Sequence, residues 1–190
     1  SFESADAAKA RFSFEELFLI QLSVLKEKAK LMQLKAPACK MDADLMKRFT
    51  DSLPFKLTDS QKKCSFQILK DLEKSIPMSR LLEGDVGSGK TVVATMASLS
   101  VTKNGFQVAF MAPTEILAKQ HFREVSKLLS KFSVKVGLLT GKDTKIMGDI
   151  GVSDTPISSD LSRKNLLGSL ENGQLNILIG THALIQKGIT

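Results

Sequence analysis

The chain has 190 residues, of which 43% are hydrophobic, and this composition predicts a folded domain with a buried core rather than a disordered tail. Its formal net charge of +7 fits a polyanionic partner such as nucleic acid without identifying one. The two cysteines, Cys39 and Cys64, have no metal-ligand spacing and predict reduced thiols, and the apolar runs are too short to span a membrane. These counts argue against a disulfide scaffold, a zinc site and a membrane partner.

The first part of the chain predicts helices. Apolar residues at three- and four-residue spacing predict one helix over about residues 12–33, and three further apolar positions predict that it is buried between two layers: Leu19, Ile20 and Val24. A short helix is expected from about Ala43 to Asp51. Thr58 and Gln61 have the spacing of a capping box, which predicts a third helix that continues through Leu72.

Strands and helices alternate in the rest of the chain. We expect strands at about 80–83, 106–112, 134–139 and 175–179, and helices at about 90–103, 114–132 and 161–170. This order predicts an α/β fold with a parallel sheet between layers of helices, and ligands that bind at the carboxyl ends of the strands. The stretch 141–159 is polar and rich in Gly, Ser and Asp, which predicts a flexible surface insertion.

A phosphate-binding loop is the clearest functional signal. One segment fits the pattern G-x-x-x-x-G-K-[ST] and lies between a predicted strand and a predicted helix: Gly84, Asp85, Val86, Gly87, Ser88, Gly89, Lys90 and Thr91. Its glycines allow the backbone to wrap around a phosphate, and the helix N-terminus that follows favours negative charge. We expect Lys90 to reach the β- and γ-phosphates of ATP and the Thr91 hydroxyl to bind Mg²⁺.

The segments around this loop resemble the RecG family of branched-DNA translocases, in helicase superfamily 2. The resemblance is carried by ordered motifs at family spacing: residues 53–61 and 78–83, GDVGSGKTVVAT at 84–95, APTEILAKQH at 112–121, LTG at 139–141 and GTHALI at 180–185. It covers about residues 12–188. It implies a RecA-like ATP-binding domain over residues 54–190, incomplete at its C-terminal end, and a helical linker or the end of an upstream DNA-binding region over residues 1–53. The implied activity is ATP-dependent remodelling of replication forks or Holliday junctions in recombination and repair.

The resemblance also implies roles for individual residues. Gln61 would contact the adenine, although its capping-box position explains it equally well. Thr114, Thr140 and Thr181 would donate hydrogen bonds to DNA phosphates, and Thr114 is equally well placed as a helix N-cap. His182 is expected either beside the DNA or in a structural role, and His121 is expected on the surface of its helix.

The family's acidic motif, Asp-Glu-x-His, is absent up to Thr190, and the chain begins at Ser1 without a signal-peptide pattern. We therefore expect an internal fragment that does not turn ATP over by itself, from a monomeric protein of the bacterial cytoplasm and nucleoid. A chloroplast or mitochondrial location is the alternative for a eukaryotic source. Two other functions stay open: another superfamily 2 motor, such as an RNA helicase or a repair translocase, and a nucleotide-dependent binding module that does not hydrolyse ATP.

Overall fold

The computed structural model describes residues 2–141, 143–147, 158–160 and 162–185. The chain divides into two compact units, one made of Ser1–Ala38 and Lys74–Ser79 and the other of Cys39–Glu73 and Arg80–Thr190. The domain boundary at residue 53 remains a prediction. In the structure the helix that precedes this position belongs to the second unit, because Phe49 is fully buried in its core.

The first unit contains one long helix, α1, over Phe2–Met32. Side-chain pairs one turn apart support it, with 2.9 Å between Arg11 Nε and Glu15 Oε1. The predicted helix is confirmed and begins earlier than expected. The predicted burial is wrong, because the large apolar side chains from Phe12 to Val24 are 50–69% exposed. Periodicity predicts which residues share a face of a helix, but it does not predict whether another layer covers that face.

Of the five α-helices described in the second unit, all but α4 begin at a polar side chain that caps them. Helix α2 is Ala43–Ser52 and α3 is Asp59–Leu72; Asp42 caps the first, and Thr58 with Gln61 forms the predicted capping box of the second. The others are α4 (Lys90–Lys103), α5 (Glu115–Leu129) and α6 (Arg163–Glu171), and a 3₁₀ turn follows at His182–Ile185. Thr114 caps α5 and Ser162 caps α6 through their hydroxyl oxygens. The helix predictions for this unit are therefore confirmed to within a few residues.

The strands form one sheet of five, in the order β1-β5-β2-β3-β4. They are β1 (Val108–Met111), β2 (Val136–Leu139), β3 (Thr144–Met147), β4 (Ser158–Asp160) and β5 (Ile177–Gly180). Strand β5 is parallel to both β1 and β2, whereas β3 is antiparallel to β2 and β4 is antiparallel to β3. The α/β class and the parallel core of the sheet are confirmed. Met111, Gly180 and Leu139 end the parallel strands in register, so the residues after them share one edge.

Helices α4 and α5 pack against the parallel strands in the main core. This core includes side chains with no exposed area from helix and strand alike, such as Leu99 of α4, Val125 of α5 and Ile179 of β5. A smaller core places Leu166 of α6 against Leu175 and Leu178. Strand β2 and strand β5 are buried along their whole length. Burial on both faces is what a central parallel strand requires, and it explains the continuous apolar sequence of β5.

Two sequence predictions are corrected by the sheet. Residues 80–83 do not form a strand, because none of the described strands pairs with them; Arg80 instead pairs with Asp71 at the end of α3. The stretch 141–159 is not simply a surface insertion, because its described ends form β3 and most of β4 and extend the sheet. The remainder of that stretch, 142 and 148–157, lies outside the described residues. Polar composition was misleading here because an edge strand needs backbone partners more than apolar side chains.

None of the helices in the described part of the chain is long and apolar enough to cross a membrane.

Candidate functional site

The glycine-rich segment forms a tight loop that opens directly into α4. Gly87 and Gly89 have φ angles of 80° and 82°, in the left-handed region that glycine adopts without a steric penalty. Gly89 is the N-cap of α4, and no side chain caps this helix. The first turn of α4 therefore presents backbone N–H groups and the positive end of the helix dipole at the loop, an arrangement suited to an anion.

The Lys90 side chain folds over this loop. Its Nζ donates to the carbonyl oxygens of Gly84 at 2.6 Å and Asp85 at 2.8 Å, while the side chain remains exposed. The Asp85 carbonyl also accepts from Ser88 N at 3.1 Å, which closes the loop on itself. The Lys90 ammonium group is thus held beside the N-terminus of α4. Its remaining N–H donor faces solvent. Thr91 is half-buried one residue further on, in the first turn of α4.

Gln61 connects the start of α3 to the phosphate loop. Its Oε1 accepts from Thr58 N at 2.9 Å, which completes the capping box, and its Nε2 donates to the Ser88 carbonyl at 2.8 Å. A Cβ atom at Gly89 would collide with this amide nitrogen. The glycine therefore serves both the loop's conformation and the approach of Gln61. Of the two roles considered for Gln61, the structure contains the cap; the adenine contact remains a prediction.

Thr114, Thr140 and Thr181 follow β1, β2 and β5 and lie at the carboxyl edge of the sheet, as the fold predicted. Their surroundings differ. Thr114 is exposed and its hydroxyl accepts from Leu117 N at 3.3 Å, so it is the N-cap of α5. Thr140 and Thr181 are only 4% and 6% exposed, and His182 is exposed. The DNA contacts of these residues remain predictions.

Contacts that the sequence did not predict hold the loop after β2. Glu115 Oε1 accepts from the backbone N of Gly141 at 3.1 Å, and Lys119 Nζ lies 2.6 Å from the carboxylate of Asp143. The only sequence signal was the four-residue spacing of Glu115 and Lys119, which places both on one face of α5. That spacing usually indicates a pair within the helix, and it does not indicate that both residues reach another loop.

His121 departs from its predicted position. We expected it on the helix surface, but its side chain is only 22% exposed and its ring centroid lies 5.2 Å from that of Phe110 in β1. His121 lies on the face of α5 that packs against the sheet, so its imidazole packs against Phe110 as an aromatic side chain. It is not part of the loop cluster at the carboxyl edge.

Two other features lie apart from the phosphate loop. A cavity of about 570 Å³ is bordered by α2 and by the ends of α4 and α5, including Arg48, Lys103 and Lys131, and no residue of the loop borders it. Cys39 is buried and Cys64 is half-buried, and both are free thiols. The described residues contain no group of three or more His, Cys, Asp or Glu side chains that could hold a metal ion.

Known proteins resemble this chain along its whole length. The family model described as DEAD/DEAH box helicase matches residues 58–190. The ATP-dependent DNA helicase RecG of Aquifex aeolicus is 43% identical over 97% of this chain and 21% of its own length, and RecG of Thermotoga maritima is 40% identical over 100% of this chain and 22% of its own length. The chain therefore spans about a fifth of the length of these curated relatives.

Solved structures resemble it as well. The structure of RecG bound to a three-way DNA junction aligns with a TM-score of 0.82 and 40% identity, over 100% of this chain and 24% of that chain. A hypothetical ATP-dependent RNA helicase from Sulfolobus tokodaii aligns with a TM-score of 0.52 and 18% identity, over 78% of this chain and 38% of that chain. The second likeness is evidence for the fold alone.

Proposed function

The chain belongs to the DEAD/DEAH box helicase family, and we propose that it is the first ATP-binding motor domain of an ATP-dependent DNA helicase or translocase that remodels branched DNA in recombination and repair. The observation that carries this proposal is the 40% identity, over 100% of this chain, to a RecG that was solved on a three-way DNA junction. Replication forks and Holliday junctions are the branched substrates that we propose.

The proposed nucleotide site is the loop from Gly84 to Gly89 with Lys90 and Thr91, and it fits ATP with Mg²⁺. The uncapped start of α4 and the positive φ angles of Gly87 and Gly89 suit a phosphate, and Lys90 Nζ already lies beside the loop. Lys90 would bind the β- and γ-phosphates, Thr91 would contribute its hydroxyl to Mg²⁺, and Gln61 would contact the adenine. When bound, ATP would supply the γ-phosphoryl group and Mg²⁺ would neutralise its charge.

The proposed nucleic-acid site is the carboxyl edge of the sheet, where Thr114, Thr140, Thr181 and His182 follow the three parallel strands. Hydroxyl contacts to phosphates position a nucleic acid without reading its sequence. We expect binding that is weak, insensitive to sequence and strongly dependent on salt. Because α4 and the parallel strands share one core, a rigid framework would connect the nucleotide to this edge.

Nucleotide binding is tested by thermal unfolding of the 190-residue chain. With Mg²⁺ and ATP or ADP at about a hundred times Kd, the melting temperature should rise on the order of 5–10 °C, since a ligand that binds only the folded state stabilises it. Lys90→Ala should abolish this rise. Lys127→Ala is the control, because Lys127 is exposed in the last turn of α5. An unchanged shift in Lys90→Ala, or vigorous ATP hydrolysis by this chain alone, would contradict the proposal.

DNA binding is tested with a forked and a linear DNA of equal length, labelled for fluorescence anisotropy. Thr140→Ala with Thr181→Ala should weaken binding by about 1 kcal/mol for each lost hydroxyl contact and leave nucleotide affinity near that of the wild type. Equal affinities of the wild type and the double variant would show that these hydroxyls do not contact DNA. In the longer protein, DNA-stimulated ATP hydrolysis should fall with the same variants.

A further inference from the structure

Thr140 organises the described residues that follow β2, Gly141 and Asp143. The Thr140 backbone N donates to the Asp143 carbonyl at 2.9 Å, and the Thr140 hydroxyl oxygen accepts from Asp143 N at 3.0 Å. We call Thr140, Gly141 and Asp143 the Thr140 turn. Its bonds fix the direction of the Thr140 side chain, but they are local and do not fix where the turn lies relative to the next strand end.

Helix α5 supplies that second constraint at two points. Glu115 Oε1 accepts from Gly141 N at 3.1 Å, and Lys119 Nζ lies 2.6 Å from Asp143 Oδ2. The Lys119 and Asp143 side chains are 40% and 26% exposed, so their ion pair is partly shielded from solvent. Because Glu115 and Lys119 are four residues apart, they lie on one face of α5 and reach the Thr140 turn together.

The glycine of the turn permits this contact. A Cβ atom at Gly141 would lie 2.9 Å from Glu115 Oε1, closer than real Cβ atoms come to a neighbour. The flexible end of the Glu115 side chain would then have to shift, which disturbs its hydrogen bond to the backbone N at position 141. Glycine at this position therefore leaves room for the carboxylate of Glu115. The φ angle of Gly141 is not positive, so the backbone conformation does not itself require glycine.

A carboxylate at this edge needs an explanation, since it repels a phosphate backbone. Glu115 follows Thr114, the exposed N-cap of α5, so the negative charge lies directly beside a proposed DNA contact. A negative charge in the first turn of α5 also interacts favourably with the helix dipole. Any carboxylate in that turn would do the same, whether or not it reached Gly141. The bond to Gly141 N is the feature that the dipole does not explain.

We infer that Glu115 and Lys119 are positioning residues that join the Thr140 turn to the first turn of α5, so that Thr114 and Thr140 meet a nucleic-acid backbone as one rigid unit. The inference rests on the proposed function and adds to it two residues that do not themselves touch DNA. The negative charge of Glu115 weakens the electrostatic attraction between this edge and DNA, and the ordering of the Thr140 turn outweighs that loss.

The sign of the effect on DNA affinity separates positioning from electrostatics at Glu115. If only charge matters, Glu115→Ala and Glu115→Gln both tighten binding, because each removes a negative charge. If Glu115 positions the turn, Glu115→Ala weakens DNA binding about fivefold, the loss expected for one hydrogen bond. Glu115→Gln keeps an acceptor oxygen and should bind as tightly as the wild type or more tightly. Glu171→Gln, at an exposed residue that ends α6, is the matched control.

Salt dependence separates the two roles at Lys119. A lysine that neutralises a phosphate contributes about one to the slope of log affinity against log salt, and its removal lowers that slope by about one. A positioning lysine that pairs with Asp143 leaves the slope unchanged. We expect Lys119→Ala to weaken DNA binding severalfold with an unchanged slope, and Lys127→Ala to leave affinity and slope near those of the wild type.

Hydrogen exchange without DNA tests the contact itself. Relative to its intrinsic rate, the backbone amide at position 141 should exchange on the order of ten times faster in Glu115→Ala and Gly141→Ala than in the wild type, and at the wild-type rate in Glu115→Gln. The melting shift with ATP should be retained in all three variants, which shows that they fold. Unchanged exchange in Glu115→Ala, tighter DNA binding by Glu115→Ala, or a lower salt slope in Lys119→Ala each overturns the inference.

Failure of the proposed function is distinguishable from failure of the inference. If the wild-type chain binds no DNA, the proposed function and the positioning role fail together, even where Glu115→Ala speeds exchange. If the wild type binds DNA and Glu115→Ala binds it equally well, the proposed nucleic-acid site stands and only the positioning role is overturned.

Discussion

The side-chain amide of Gln61 donates from Nε2 to the carbonyl oxygen of Ser88 at 2.8 Å, and this bond joins the first turn of α3 to the phosphate loop. The other end of the same amide accepts from Thr58 N. Both ends are therefore in use before any base is present. Nε2 has a second N–H, which an adenine could use while the bond to the Ser88 carbonyl is kept.

Replacement of Gln61 should separate base recognition from phosphate binding. In Gln61→Ala, the affinity for ATP should fall severalfold because the adenine contact is lost, whereas the affinity for inorganic tripolyphosphate should stay the same or rise because the loop is released from α3. Both affinities can be measured by isothermal titration with Mg²⁺. Lys63→Ala, an exposed residue of the same helix, is the control. An equal fall for both ligands would mean that Gln61 only supports the loop.

Gly180 should not tolerate a methyl group. A Cβ atom there would collide with the Leu139 carbonyl of the neighbouring strand and lie 2.9 Å from Leu184. We expect Gly180→Ala to lower the free energy of unfolding by about 1–3 kcal/mol, the cost of overpacking a filled site. Chemical denaturation measures this change. Gly168→Ala is the matched control, because nothing lies within 4 Å of that Cβ position in α6 and alanine favours a helix; it should stabilise by a few tenths of a kcal/mol or more. A Gly180→Ala protein as stable as Gly168→Ala would contradict the close approach of β2 and β5.

The two thiols should react at different rates in the folded chain. Burial raises the pKa of Cys39, so less of its reactive thiolate is present at neutral pH, whereas Cys64 is only half-buried. Mass spectrometry during alkylation with iodoacetamide should therefore find Cys64 modified first and Cys39 much later. In denaturant both should react at similar rates. A chain that resists modification at both positions even when unfolded would contain a disulfide, contrary to the structure.

Acid should weaken one contact between α3 and the segment before α2. Glu73 accepts from Lys70 Nζ at 2.7 Å and from Met41 N at 3.1 Å, and these bonds hold the pKa of Glu73 below its ordinary value. A carboxyl group with a lowered pKa contributes stability above its unfolded-state pKa and loses it as the pH falls through the folded-state value. The difference in unfolding free energy between the wild type and Glu73→Gln should therefore be constant near neutral pH and shrink below about pH 4.

Local chemistry was enough to predict the starts of the helices and the phosphate loop. The capping box of Thr58 and Gln61, the glycines before Lys90 and the N-cap Thr114 each act within four residues, so their patterns are visible along the chain. The same residues also indicated the family. The bond from Gln61 to Ser88 was not predicted, because it joins residues that are 27 positions apart.

The errors concern contacts between distant segments. A strand was expected at 80–83, but a strand forms only where a partner strand offers its backbone, and none of the described strands does so. The polar residues after Gly141 looked like a loop, yet the free edge of β2 pairs with β3. The apolar residues of α1 predicted a buried helix, although sequence periodicity contains no information about a covering layer. No role was predicted for Glu115 and Lys119, because their partners Gly141 and Asp143 are distant in the sequence.

The position of β5 between β1 and β2 has a consequence for how the domain is made. These two strands do not pair with each other, because each pairs with β5, which is synthesised last of the three. While a ribosome adds the residues from 140 to 176, β1 and β2 have helices to pack against but no central strand. The parallel sheet can close only after residues 177–180 have left the exit tunnel. Such late, long-range pairing slows folding and leaves strand edges open during synthesis, so a chain stopped before residue 177 should aggregate or be degraded.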